Sequence, residues 1–436
     1  MQPLSPLDGR YASQVDPLRV YFSEEALNRA RVFVELKYLV ALAGEKGIPE
    51  LPPFTEKQDK AIGAIYQNFD EKAGLRVKEI EKTTNHDVKA VEYYLREELP
   101  KALGKAYKPE FIHFALTSED VNNLAYGTLI NAAIGDILLP SLSELASSIE
   151  RVAEAEEQTA ILSLTHGQPA TPTTLSKEMR VFVERLSRQI HALAHFSMQG
   201  KFGGAVGNYS AHRAAYPKVD WEAFGETFMT SLGLDPLRYT TQINPHDDIA
   251  ELSHLFCRIN TILLDFSRDI WMYISRGVFT QKTVKGEVGS STMPHKVNPI
   301  DFENAEGNLG LSSALFSHFA EKLPISRLQR DLSDSTVQRN IGVAFGYHFL
   351  ALRSLTKGIS KLSVNHALLK KELEDHPEVL TEAIQTVMRK NGISDAYEQM
   401  KALSRGKPVT REDLRKFVKG LKIDADDRMR LLKMIA

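Results

Sequence analysis

The chain has 436 residues, with 54 Lys+Arg against 56 Asp+Glu and a formal net charge of −2. That length allows two or three domains and a large core. The balanced charge, with no acidic or basic tail, argues against an electrostatic nucleic-acid binder. The single cysteine, Cys257, excludes an intrachain disulfide and a thiolate-rich metal site. No H-E-x-x-H pair occurs, and neither a metal nor a cofactor is expected. The start, MQPLSPLDGR, lacks the charged end and apolar run of a secretory signal. No uninterrupted apolar stretch approaches a membrane span, so the expectation is a cytoplasmic protein without a membrane partner.

Taken in chain order, helix signals are long and strand signals sparse. DGRY at 8–11 reads as a turn carrying Arg10 and Tyr11. Ser23, followed by Glu24 and Glu25, caps a helix that runs to about Gly47 and Pro49. In TTNHDVKA at 83–90, an Asn or Asp cap opens the next helix, and His86 is either incidental or an anion and proton-transfer group that Asp87 orients. A long helix begins at Thr117–Ser118 and reaches about Gln158, with a kink at Pro140. SLTHGQPATPTT at 163–174 is a structured loop around His166, leading into a helix over about 173–195. GKFGGAVGN at 200–208 lacks the strand–turn–helix setting of a dinucleotide fingerprint and reads as a turn between helices. Ile249, Leu252, Phe256, Ile259, Leu263, Phe266 and Ile270 then form one continuous 3–4 seam, with Leu255 and Ile262 beside it. Cys257 lies inside this pattern as a small core residue. Asn298–Pro299 opens a helix to about Glu321, and a further helix spans roughly 333–360.

Five such helices make a long bundle, and their apolar faces are too broad for one subunit to cover. A homo-oligomer is therefore expected. The division is a mixed helical region over 1–110, the bundle over 111–360, and shorter, more charged helices over 361–436.

Two further stretches carry candidate chemistry. RDLSDSTVQR at 330–339 sets Arg330 and Arg339 around the hydroxyls of Ser333, Ser335 and Thr336, which makes either an anion site or an ordinary capped helix. VGSSTMPHKVNPID at 288–301 breaks the helical rhythm with Gly289, Ser290 and Ser291, followed by Lys296 and Asn298 between Pro294 and Pro299. Freedom at one end and restraint at the other suit a loop that closes over a site.

TSEDVNN, THGQPATP and GSSTMPHKVNP occur in the order of the three shared segments of the fumarase/aspartase superfamily, which the chain resembles. SPLDGRY, TTNHDVKAVEYYL, YTTQINPHD and RLQRDLSDSTVQRN are similar, within it, to long bacterial members that cleave succinylated purine nucleotides. The likeness covers essentially the whole chain. Members usually continue past a Pro-Tyr segment, whereas this sequence ends at Ala436, which leaves the end of the C-terminal domain open. The resemblance implies an all-α fold of three domains whose five-helix bundles join into a twenty-helix tetrameric core. It also implies β-elimination of fumarate from succinyl-AMP, leaving AMP, and from the succinylated aminoimidazole carboxamide ribotide (SAICAR), leaving AICAR.

The matching positions make Ser290 the general base and His166 the general acid, assisted by His86. Arg10 and Tyr11 would take the phosphate end, and Asn85, His86 and Asp87 would meet phosphate and substrate. Thr117 and Ser118 would hold a carboxylate, and Gln242 and Asn304 the base or succinyl part. Lys296, Val297 and Asn298 would face the carboxylate that gains charge, while Arg330, Ser335, Thr336 and Arg339 would complete the nucleotide site. Each site would draw on three subunits. The rival implications are a sister lyase, such as argininosuccinate lyase, fumarase or aspartase, and a non-catalytic structural relative.

Overall fold

The computed structural model describes residues 3–283, 293, 296–406 and 408–435. These divide into two compact units: Met1–Leu145, Leu186–Ser267 and Asp301–Thr356 form the first, and Ala146–Arg185, Arg268–Ile300 and Lys357–Ala436 the second.

In the first unit, α1 (Glu24–Gly44) starts where the sequence places it, with Ser23 Oγ accepting the Ala26 N–H at 3.1 Å. Two helices follow, α2 (Glu71–Thr84) and α3 (Asp87–Leu103). Next comes α4 (Ser118–Ala155), which continues into the second unit from Ala146; by length and composition alone it is long and apolar enough to cross a membrane, but Asn122, Asn123, Asn131 and Asp136 interrupt its apolar run. Its Leu124, Ile130, Leu138, Leu142 and Leu145 are buried within the protein. The kink expected at Pro140 takes the form of a π turn over Ile134–Leu138, where the Leu139 N–H reaches back to the Ile134 carbonyl. The wider turn eases the clash that a helical proline makes with the preceding turn.

Four further long helices, α5 (Leu175–Ala194), α6 (Asp247–Arg276), α7 (Ile300–Lys322) and α8 (Ile341–Ser360), complete the set of five. The whole 249–270 seam of α6 is buried. Phe256 on α6, Phe316 on α7 and Phe345 on α8 interlock with centroids 5.0–5.1 Å apart. Cys257 departs from its expected place, being half-buried beside Ser313 and Ser317. The helix expected over 333–360 is broken: Ser333–Gln338 is separate from α8, and Arg339–Asn340 lie at the break.

The first unit also buries an ionisable histidine. His212 packs among Phe202, Tyr209 and Trp221. The Tyr38 hydroxyl donates its proton to the Phe114 carbonyl at 2.9 Å, so it can only accept from His212 Nε2, 3.3 Å away. His212 Nδ1 is buried without a partner, and desolvation pushes the imidazole down to about 4. Above pH ~6.5 the ring is neutral in both folded and unfolded chains. Between there and about 4 only the unfolded chain takes the proton, so the folded state loses on the order of 3 kcal/mol. The melting temperature should therefore fall across that window, and His212→Gln should flatten the fall. An unchanged acid limb in the variant would contradict this.

In the second unit the segment around His166, expected as a structured loop, is a β-hairpin. β1 (Ala160–Thr165) pairs antiparallel with β2 (Gln168–Thr174), with an irregularity between Ile161 and Ser163. The C-terminal helices of this unit close over Ile384, Met388, Met400, Leu414, Val418 and Leu431.

Candidate functional site

A pocket of about 580 Å³ opens in the first unit, and three separate helix starts supply it. Asn85 ends α2 in a left-handed conformation at φ 51°, turning the chain sharply into α3. His86 itself is the cap of α3: its Nδ1 accepts the Lys89 N–H at 3.2 Å. Nδ1 must then lack a proton, which places the proton of the neutral ring on Nε2. Nε2 lies 3.5 Å from Ser118 Oγ at the start of α4. The third start is Ser333–Gln338, which brings Ser335, Thr336 and Arg339 to the same pocket.

Two of the pocket's cations are fixed by carboxylates. Arg330 donates to Glu119 Oε1 and Ser335 Oγ, each at 3.2 Å, and to Gln242 Oε1 at 3.1 Å. Gln242 is in turn anchored on the Ala205 carbonyl at 2.9 Å. Arg339 approaches Asp87 Oδ2 at 3.5 Å. The same oxygen accepts from buried Arg31 at 2.7 Å. Burial works against the Asp87 carboxylate, but Arg31, the Val88 amide and Arg339 outweigh it and hold it below the usual carboxylate range. Asp87 is thus engaged by arginines, and its distance of 3.7 Å from His86 Nδ1 is too long for the orienting hydrogen bond expected from sequence. Three guanidiniums, Arg31, Arg330 and Arg339, share the lining with three carboxylates, Asp87, Glu119 and Glu81. Glu81 pairs with Lys78 at 2.8 Å. The guanidinium N–H groups of Arg330 and Arg339 suit an anion such as phosphate or carboxylate.

The glycine-rich segment 200–208 supports this pocket from behind. Asp120, next to Glu119, pairs with Lys201 at 2.6 Å, both fully buried. Asp120 also accepts the N–H groups of Thr117, Gly203 and Gly204 at 2.8, 3.0 and 3.0 Å. Gly207 has φ 73°, and a Cβ there would stand 2.5 Å from the Thr240 carbonyl. The segment is a built clamp on the start of α4, more than the simple turn that its composition suggests.

The remaining sequence-derived residues lie elsewhere. Tyr11 and Asn304 meet in the first unit, where Asn304 Nδ2 donates to the tyrosine oxygen at 3.2 Å and Asn304 Oδ1 accepts from Ser354 at 2.8 Å. Arg10 is exposed, with its guanidinium 5.8 Å from the Tyr11 ring centre. Thr117 is half-buried, its N–H bound by Asp120. Neither Arg10, Tyr11, Thr117, Gln242 nor Asn304 lines the pocket.

In the second unit, His166 and Gly167 form the two-residue turn between β1 and β2, at φ 55° and 72°. Positive φ at both positions is the type I′ pattern that matches strand twist. The left-handed backbone is uncommon for a non-glycine residue, and it presents the imidazole at an exposed tip. Lys296 and Val297 are exposed, and Asn298 is half-buried. The Val297 carbonyl accepts from Gln281 at 3.2 Å, and the Lys296 N–H reaches the Met293 carbonyl at 3.0 Å. Ser290 lies outside the described residues.

Sequence reasoning missed Arg31, Glu119 and Asn122 as pocket residues. Glu119 and Asn122 had a signal, since they sit within one helical turn of Ser118 in TSEDVNN. Arg31 had none, because its partners are 56 and 91 residues away.

The class of protein follows from the matches to this fold. Residues 9–311 match the family described as Lyase. The 3-carboxy-cis,cis-muconate lactonizing enzyme of Pseudomonas putida superposes with a TM-score of 0.75, over 96% of this chain and 92% of its own. At 20% identity that likeness is one of fold. The chain is a lyase of the fumarase/aspartase superfamily with an all-α architecture of helical domains. Residues 326–436 match the family described as Adenylosuccinate lyase C-terminal. The adenylosuccinate lyase of Legionella pneumophila is 53% identical over 434 residues, covering 100% of this chain and 95% of the relative. Those of Haemophilus influenzae and Escherichia coli are 52% and 51% identical, each over 99% of this chain and 94% of the relative. The chain belongs to the adenylosuccinate lyase family.

Proposed function

We propose that this chain cleaves succinyl-AMP to AMP and fumarate, and SAICAR to AICAR and fumarate, two reactions of purine biosynthesis. Family membership over the full length carries the reading. The pocket where Arg330 and Arg339 accompany Ser335 supports a phosphorylated substrate over the sister lyases' substrates.

In the proposed chemistry, Ser290 removes a proton from the carbon beside a succinyl carboxylate. The electron pair moves first onto that carboxylate, then into the new double bond as the carbon–nitrogen bond breaks. His166 gives a proton to the departing nitrogen. The intermediate places extra charge on the carboxylate, so the donors of Lys296 and Asn298 stabilise it more than they stabilise the ground state. Arg10, Tyr11, Asn85, His86, Asp87, Thr117, Ser118, Gln242, Val297, Asn304, Thr336 and the arginine pair hold the rest of the substrate. The neutral tautomer drawn for His86 lets Nε2–H donate to an anion.

We place the enzyme in the cytoplasm as a homotetramer of three-domain subunits (1–110, 111–360, 361–436), with each site shared by three of them. The exposed Trp271, Met272 and Leu311 on long helices support assembly. An assay panel of succinyl-AMP, SAICAR, argininosuccinate, malate and aspartate tests the reading. Turnover should be confined to the first two, and failure to cleave succinyl-AMP would remove the assignment.

A further inference from the structure

Arg31 carries no motif, yet every nitrogen of its guanidinium is used. Nε donates to Asn122 Oδ1 at 2.8 Å, Nη1 to Asn28 Oδ1 at 3.0 Å and Nη2 to Asp87 Oδ2 at 2.7 Å. Asn122 passes the chain onward, its Nδ2 donating to Glu119 Oε1 at 3.0 Å, where Arg330 also binds. One buried arginine therefore ties the start of α3 to the start of α4, and through their carboxylates it reaches both cations of the pocket. Arg339 shares Asp87 Oδ2 with it, but at 3.5 Å against 2.7 Å. Arg31 takes most of the neutralising role, which leaves Arg339, 60% exposed along its side chain, free to face a ligand.

We propose that Arg31 is a positioning residue for nucleotide binding: it satisfies Asp87 from behind, so that Arg339 and Arg330 present their remaining N–H groups to the substrate's phosphate. The proposal rests on the pocket being the nucleotide site. Without Arg31, Asp87 has only Arg339 to neutralise it, and the guanidinium is drawn from the ligand to the carboxylate. Burial would then raise the Asp87 carboxyl. The charged or titratable groups that face it are Arg31, Arg339, His86 and Tyr126, with Glu81, Glu119 and Arg330 lining the same pocket.

The test is steady-state turnover of succinyl-AMP by the full chain from pH 5.5 to 8. Arg31→Gln should raise KM roughly 10–100-fold at pH 7.5, the scale of one charge-assisted hydrogen bond, while kcat changes far less. The defect should shrink as pH falls, because protonating Asp87 releases Arg339. A merely structural loss would lower activity without that pH dependence. Arg31→Lys keeps a charge on Asp87 but not the bonds to Asn28 and Asn122. It should show a smaller KM rise and the wild-type pH profile, and it decides the matter should the glutamine variant not fold. A lysine variant whose KM also rises roughly 10–100-fold, or a glutamine variant impaired equally at every pH, overturns the proposal. Wild-type cleavage of succinyl-AMP in the same assay tests the underlying reading separately.

Discussion

Ser290→Ala should lower kcat for succinyl-AMP by roughly 10³–10⁴-fold, the upper range for loss of a general base, while KM and the melting temperature stay near wild type. The expectation follows from what the alcohol is asked to do. The abstracted proton is weakly acidic, and serine is a poor base in water. It can act only where cations lower the cost of its own ionisation and water is kept out. Lys296 is a cation of the same segment, six residues on. Lys296→Met should therefore reproduce much of the Ser290→Ala loss, and combining the two should cost much less than the product of the single effects. Rapid-quench measurement of fumarate release in a single turnover separates chemistry from product release. A Ser290→Ala enzyme that retains a tenth of wild-type kcat would move the base role to another group.

The parts of this molecule legible in sequence are those set by local rules. The Ser23 cap and the acids behind it are a short-range signal, and α1 begins where they put it. The 249–270 seam has a period that only a helix satisfies, and α6 buries every member of it. The β-hairpin was hidden by its composition. Pro169 and Pro172 argue against a strand, and His-Gly is a rarer turn pair than Asn-Gly. The alternation of β-branched residues through Thr171 and Thr173 was the available clue. The break at Arg339–Asn340 has no local marker.

For the site, motifs supply residue types but not which groups meet. Asp87 was read as the partner of His86, since they are adjacent in the chain. In the fold a buried arginine from another helix claims it, because a desolvated carboxylate gains more from a guanidinium than from an imidazole that already caps a helix. Such contacts depend on how α1, α3 and α4 pack, and no stretch of sequence announces them.

His166→Ala should also be severe, roughly 10²–10⁴-fold in kcat, since the departing nitrogen would leave without a proton. The more telling measurement mixes this variant with Ser290→Ala. Suppose each site takes its serine from one subunit and its imidazole from another. After unfolding and refolding at equal concentrations, a site is intact when its serine comes from the histidine variant and its histidine from the serine variant. Random assortment makes that about a quarter of all sites. Activity near that level, absent from either variant alone, requires the two groups to come from different chains. If both come from one subunit, every site keeps one defect at any mixing ratio, and activity stays at the sum of the single variants. The exposed turn at His166–Gly167 fits the first case, because a group that must reach a neighbour's substrate belongs at a tip and not in its own core.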